Sequence, residues 1–103
     1  MHVMTRSYTG KGAADLTKLL VSRKDEVEKL IGNVPGLVSY DLVETDDGCF
    51  TVTVCKDKAG TDRSLAVAKE WLKANAGHIG APAPQVTEGK SALHISAKAG
   101  AHA

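Results

Sequence analysis

Apolar residues recur with a helical spacing in two segments of the chain. Within residues 13–31 they lie three or four positions apart, which predicts one amphipathic helix that ends at Gly32. A second helix is predicted from residue 60 to about residue 76, with Thr61 or Asp62 as its cap. The stripe that this second helix buries is predicted to be Leu65, Ala68, Trp71 or Leu72, and Ala76.

Four other segments have the alternation or the β-branched composition of strands. They are residues 2–9, 36–44, 49–56 and 86 to about 97, the last with an interruption near Gly89. The order strand, helix, strand, strand, helix, strand predicts a ferredoxin-like α+β fold, βαββαβ, with two helices on one face of a four-stranded antiparallel sheet. We expect residues 1–97 to form a single domain and residues 98–103 a flexible carboxyl-terminal tail.

The register of the central hairpin has two alternatives, because a slip of one residue exchanges the faces of a strand. A two-residue Asp47-Gly48 loop puts Tyr40 and Leu42 on the same face as Thr53 and Cys55. A three-residue loop at 46–48, with Gly48 in the left-handed region, instead aligns Val38, Tyr40 and Leu42 with Phe50, Val52 and Val54. The second alternative is preferred, since it collects the apolar residues on one face and leaves a mixed face for another protein surface.

Composition argues against several classes of function. The chain has 13 Lys and Arg against 12 Asp and Glu, interleaved along the sequence, so it has no basic surface for nucleic acid. No apolar run approaches the ~20 residues that span a bilayer, and the amino terminus has no signal-peptide core, so we expect a cytoplasmic protein without membrane contact. Cys49 and Cys55 lie too far apart along one strand for a disulfide, and the histidines lack the spacing of metal ligands.

Few side chains offer chemistry. Arg6 lies on the first strand, where either face is possible: an inward Arg6 would hold an anionic group, and an outward Arg6, the slightly favoured alternative, belongs to an interface or to solvent. Tyr40 and Trp71 are expected in the core, or in the lining of a pocket between sheet and helices. His94, on the last strand, is a candidate general base because imidazole titrates near neutral pH, although a surface histidine is the commoner case.

The chain resembles a known superfamily in several of these features. The order of elements, the length, the segment Val34-Pro35-Gly36-Leu37-Val38-Ser39-Tyr40 and the Asp-Asp-Gly hairpin are similar to those of antibiotic-biosynthesis-monooxygenase-type members of the dimeric α+β barrel superfamily. The resemblance covers residues 2 to about 97. It implies a homodimer whose two sheets face each other in a barrel, with the helices outside and a pocket between sheet and helices.

Members of this superfamily include cofactor-independent oxygenases of polycyclic phenols, haem-degrading enzymes and lactone isomerases. The haem-degrading proteins resemble one another in an Asn on the first strand, a Trp on the third and a His on the second helix. This sequence has none of these residues at the matching elements, and Trp71 lies in a helix. We therefore expect no haem, and no other cofactor.

Three hypotheses follow. The first is a cofactor-independent monooxygenase or isomerase of a small phenolic or enolisable substrate. In it His94 or a proton acceptor on the substrate removes a proton, while Arg6 and Tyr40 stabilise the oxyanion. The second is a non-catalytic dimer that binds a small apolar ligand, and the third is a stress-linked dimer whose pocket is filled by its own side chains. The pocket lining is predicted to be Tyr40, Leu42, Phe50, Val52 and Trp71.

Overall fold

The fold class predicted from the sequence is confirmed. The computed structural model describes residues 1–81 and 83–97, so the predicted tail at 98–103 lies outside the described residues. The strands pair antiparallel in the order β2-β3-β1-β4, with the helices against one face. The elements are β1 (His2–Tyr8), α1 (Ala13–Ser22), α2 (Lys24–Gly32), β2 (Leu37–Thr45), β3 (Gly48–Cys55), α3 (Lys58–Asn75), a 3₁₀ turn (Gly77–Ile79) and β4 (Gln85–Lys90).

The first predicted helix is two helices. The chain breaks at Arg23, whose φ of −115° and ψ of 28° lie outside the helical region. The apolar stripe continues in phase across the break, from Leu16 and Leu20 to Val27 and Ile31, so the hydrophobic period alone does not reveal it. The polar residues 22–26 bury nothing that would hold a continuous helix in place, which is the physical reason for the difference.

Two other boundaries also differ from the prediction. Helix α3 begins at Lys58, where Asp57 caps it by accepting a hydrogen bond from the Gly60 amide at 3.2 Å, so the predicted caps at Thr61 and Asp62 are wrong. The last strand ends at Lys90, and residues 91–97 are not paired in the sheet. None of the helices in the described ranges has the length and apolarity to cross a bilayer.

The preferred register of the hairpin is wrong. Strands β2 and β3 are joined by the two residues Asp46-Asp47, and Thr45 pairs with Gly48. Gly48 is not part of the turn: a Cβ at this position would collide with the backbone carbonyl of Tyr8, so the glycine permits close approach of β3 to the end of β1. The observed pairing puts Tyr40 opposite Thr53 and Leu42 opposite Thr51, the face assignment that the prediction rejected.

The corrected register exchanges the faces of β3. The helix-facing side of the sheet carries Met4, Arg6, Tyr8, Tyr40, Leu42, Cys49, Thr51, Thr53 and Cys55. Here Tyr8 and Cys49 pack with Leu16, Leu20, Val27 and Ile31 of the helices to form the core. The opposite side, called the open face below, carries Val3, Thr5, Ser7, Ser39, Asp41, Val43, Phe50, Val52 and Val54.

Candidate functional site

Arg6 lies inside the domain. It sits in the middle of β1, between β3 and β4, and only 3% of its surface is exposed. The slightly favoured outward orientation is therefore wrong. Its Nη1 donates a hydrogen bond to the Tyr8 hydroxyl at 3.1 Å, because residues two apart on a strand share a face.

The charge of Arg6 has no carboxylate to balance it among the residues that the structure describes. No ion pair there includes Arg6. Its Nε has no hydrogen-bond partner, and neither do the hydroxyls of Thr51 and Thr53, which are also buried. A buried charge without a counter-ion costs several kcal/mol, and most buried polar atoms in native proteins are hydrogen-bonded. The position is therefore costly to the fold.

Two tyrosines surround the guanidinium. Burial raises the pKa of Tyr8 and of Tyr40 above the ordinary 10.0, and the nearby charge of Arg6 opposes this rise at both. Both side chains are thus neutral phenols at physiological pH, able to donate an O–H hydrogen bond towards an anion. Burial also raises the pKa of the Cys49 and Cys55 thiols, so neither is an activated nucleophile.

Next to Arg6 is a small internal cavity, called the inner chamber below. Its volume is about 20 Å³, which is room for roughly one water-sized species. It is lined by Arg6, Tyr8, Tyr40 and Thr51 from the sheet, and by Leu20, Val27, Leu30, Ile31, Trp71 and Leu72 from the helices. Apolar walls around a few polar groups are typical of ligand sites.

A larger, open groove lies between α2 and β2. Its volume is about 460 Å³, and its lining includes Leu37, Tyr40 and Leu42 of β2 together with Val27 and Ile31 of α2. Lys24, Asp25 and Glu28 are also in its lining. Val27, Ile31 and Tyr40 are shared between groove and chamber, so Tyr40 forms part of the wall between them. The groove has the size of a small-molecule site, and the chamber has the buried charge, that of Arg6.

Trp71 of α3 lines the helix side of the chamber and is contacted by Arg23, the residue at the break between α1 and α2. The guanidinium carbon of Arg23 lies 5.1 Å from the centroid of the Trp71 ring, in the range of a cation–π contact. Arg23 Nη2 also donates to Glu26 Oε1 at 2.9 Å. The pKa of Glu26 is lowered chiefly by its hydrogen bond with Arg23, with a smaller effect of the same sign from Trp71. The residue at the break thus contacts one wall of the chamber.

The predicted site residues are only partly brought together. Arg6, Tyr40 and Trp71 meet at the chamber, and Leu42 lines the groove. Phe50 and Val52 lie on the open face, on the other side of the sheet, because the register was wrong. His94 lies beyond β4, exposed and hydrogen-bonded to Ser96 Oγ at 2.9 Å, and it lines neither the chamber nor the groove.

Seven residues of the chamber lining were not among the predicted site residues, and two of the seven, Tyr8 and Thr51, are polar. Tyr8 could have been found from the alternation of β1, which puts it on the face of Arg6. Thr51 depends on the β3 register, for which the sequence carried no reliable signal. Within residues 1–81 and 83–97, no group of three or more His, Cys, Asp or Glu side chains is arranged to hold a metal ion.

Comparison with known proteins identifies the fold. No family model and no curated protein matches the sequence. Among solved structures, the chain is similar to a protein of unknown function from Nitrosomonas europaea, with a TM-score of 0.66 and 17% identity over 92% of this chain and 91% of that one. It is also similar to SnoaB, a cofactor-independent oxygenase from Streptomyces nogalater, with a TM-score of 0.64 and 16% identity over 91% and 95% of the two chains.

The haem-degrader MhuD from Mycobacterium tuberculosis has the same fold. Its TM-score is 0.52, with 21% identity over 93% of this chain and 100% of that one. The chain therefore has the fold of the antibiotic-biosynthesis-monooxygenase-like α+β barrel proteins, as the sequence resemblance implied. The fold is common to oxygenases, haem degraders and proteins of unknown function, so the activity must be argued from the chamber and the groove.

Proposed function

We propose that this protein binds a small phenolic or enolisable compound in the groove and holds its oxyanion at Arg6. The observation that carries the proposal is the buried Arg6 charge, which has no carboxylate partner among the described residues. The apolar side chains of the groove suit a planar hydrocarbon body, and Tyr40 lies between that body and the guanidinium. An oxyanion that passes Tyr40 would meet one positive charge and two phenol donors.

The reaction that fits best is oxygenation or isomerisation without a cofactor. No histidine or carboxylate lines the chamber, so His94 is not part of the proposal and the substrate binds as an anion already formed. Dioxygen would be the oxidant: one oxygen atom converts a ring CH₂ to C=O, and the other leaves as water with the two hydrogen atoms. An isomerisation would only move a proton, and it would take up no dioxygen.

Binding of 4-nitrophenol tests the oxyanion site, because only its phenolate form absorbs visible light. We expect the bound fraction to be phenolate, and Arg6→Gln to weaken phenolate binding at least about tenfold, since hydrogen bonds to charged groups contribute roughly 1.5–3 kcal/mol. Arg63→Gln, which removes an exposed arginine of α3, is the matched control and should leave binding unchanged. Equal binding of phenolate by Arg6→Gln would contradict the proposal.

A non-catalytic ligand binder is the second candidate, favoured by the absence of a proton acceptor among the chamber-lining residues. An oxygen electrode separates the two candidates. With a hydroxylated anthrone as probe, an oxygenase consumes dioxygen and accumulates the quinone, more slowly in Arg6→Gln than in Arg63→Gln. Saturable binding with neither dioxygen uptake nor product would identify the chain as a binder.

We also propose that the chain forms a homodimer through the open face. Val43, Phe50 and Val52 are partly exposed apolar side chains on the open face, which none of the helices in the described residues covers, and Val54 on the same face is buried. A patch of this kind on one side of a small domain is typical of an interface with another chain. Light scattering coupled to size exclusion should give twice the monomer mass of 10.8 kDa. A single-chain mass over the whole concentration range would contradict the dimer.

A further inference from the structure

Three buried polar atoms without hydrogen-bond partners in the described part of the chain cluster on the helix-facing side of the sheet. They are Arg6 Nε, Thr51 Oγ1 and Thr53 Oγ1. Arg6 is directly opposite Thr51 in the pairing of β1 with β3, and Thr53 lies two residues further along the same face. Directly opposite residues have their Cβ atoms ~4.5–5.5 Å apart, so these groups can converge on one bound species.

The positive charge of Arg6 favours an anion over a water molecule as the bound species. A water molecule can satisfy the hydroxyls and the N–H, but it leaves the Arg6 charge uncompensated in a low-dielectric interior. An anion satisfies the same donors and neutralises the charge as well. The nearby hydroxyls of Tyr8 and Tyr40 are neutral, so they add donors without adding negative charge.

The small volume of the chamber and the single charge of Arg6 limit which anions can bind there. The chamber of about 20 Å³ holds one water-sized species, and its helix-side walls are apolar. Tetrahedral oxyanions such as phosphate and sulfate are too large, and their second charge would remain unpaired. We infer that the inner chamber, between Arg6 and Thr51, is a binding site for a small monovalent anion such as chloride or bromide.

This inference goes beyond the proposed function and does not depend on it, because it requires no organic ligand. If both hold, the two kinds of ligand use one guanidinium and must compete. Chloride would then raise the apparent dissociation constant of 4-nitrophenol. Each can also fail alone, since anion binding is measured without a phenol and phenol binding is measured without a halide.

Thermal unfolding of the whole chain provides the test. A ligand that binds only the folded state raises Tm in a saturable way. We expect sodium chloride or sodium bromide to raise the Tm of the wild type relative to sodium gluconate at the same ionic strength. Thr51→Val, which keeps the shape and removes the hydroxyl, should weaken the anion affinity about tenfold. Arg6→Met should abolish the anion-specific shift, and the surface control Arg63→Gln should keep it.

A second readout does not depend on stability. Trp71 is the only tryptophan of the chain and lines the chamber, so its emission should change saturably with bromide in the wild type. In Thr51→Val the same change should need a bromide concentration about tenfold higher. Identical chloride and gluconate curves in the wild type would overturn the inference. So would an unchanged anion affinity in Thr51→Val, or loss of the effect in Arg63→Gln, since these results mean that the anion acts on the surface.

Discussion

Each face of the sheet departs in part from the pattern of an ordinary small domain. The face that the helices cover includes the polar residues Arg6, Thr51 and Thr53 among its apolar ones, whereas the face that they leave open includes the apolar residues Phe50 and Val52 among its polar ones. A domain selected only for its own stability would put the apolar set inside. The proposed ligand would account for the polar residues of the covered face, and the proposed dimer for the apolar residues of the open face.

The open face is tested by a substitution of Phe50, which should have a large effect on dimerisation. Phe50→Asp should weaken dimerisation about a hundredfold or more, because a C2 dimer carries the substitution twice and an aromatic anchor contributes roughly 2 kcal/mol or more to an interface. Sedimentation equilibrium measures the change in the dimer dissociation constant. Ala66→Asp, on the exposed surface of α3, introduces the same charge away from the interface and should leave the dimer intact. A dimer unchanged in Phe50→Asp would place the interface elsewhere.

The covered face is tested by a substitution of Arg6, which should stabilise the fold although it removes a buried side chain. Arg6→Met should raise the free energy of unfolding by about 1–3 kcal/mol in gluconate buffer, since it removes a buried charge that has no counter-ion there. Urea denaturation at constant m-value measures it. A gain in stability together with loss of phenolate binding is expected of a residue kept for function. Marked destabilisation would instead make Arg6 a structural residue.

The order of elements could be predicted from the sequence, but the assignment of the β3 residues to the two faces of the sheet could not. The order of elements was predictable because the helical and strand periods are clear, and alternation along β1 is by itself enough to put Arg6 and Tyr8 on one face. The β3 register was not. The preferred hairpin rested on the rule that apolar side chains face the helices, and in β3 the helix-facing residues are threonines and cysteines.

Gly48 misled the prediction for a second physical reason. A glycine after two aspartates is a typical turn signal, but here its missing Cβ allows β3 to approach the carbonyl of Tyr8. Close approach between two strands depends on tertiary packing, which a local pattern does not carry. The inward position of Arg6 was hidden in the same way, because a charged residue in a strand is more often exposed.

A smaller change in stability is expected at the start of helix α3, where Asp57 is the cap. Asp57→Ala should lower the free energy of unfolding by about 1 kcal/mol, because it removes the side-chain cap of α3. Asp57→Asn should retain most of the stability, since its amide oxygen can accept the same hydrogen bond. Asp62→Ala is the matched control and should change stability by less. If Asp62→Ala proved the more damaging, the helix would begin at the cap predicted from the sequence.

The smallest expected effect is the pH dependence of stability that comes from the two buried tyrosines, which is absent near neutral pH and grows at alkaline pH. The folded state raises the pKa of Tyr8 and Tyr40 above 10.0, so it binds their protons more tightly than the unfolded state does. Their contribution to stability is therefore fully present below pH 10.0 and is lost as the pH rises through that value towards the higher folded pKa.

Tyr40→Phe keeps the ring and removes the ionising group, so its unfolding free energy should fall less steeply with pH than that of the wild type. Urea denaturation at a series of alkaline pH values measures the two slopes. A bound anion in the chamber should steepen the wild-type slope, because a tyrosinate beside Arg6 takes over the counter-ion role and expels it. Equal slopes in the two proteins would mean that the charge of Arg6 lowers the pKa of Tyr40 as much as burial raises it. The electrostatic cost of burying Arg6 on the covered face would then be smaller than its missing counter-ion implies.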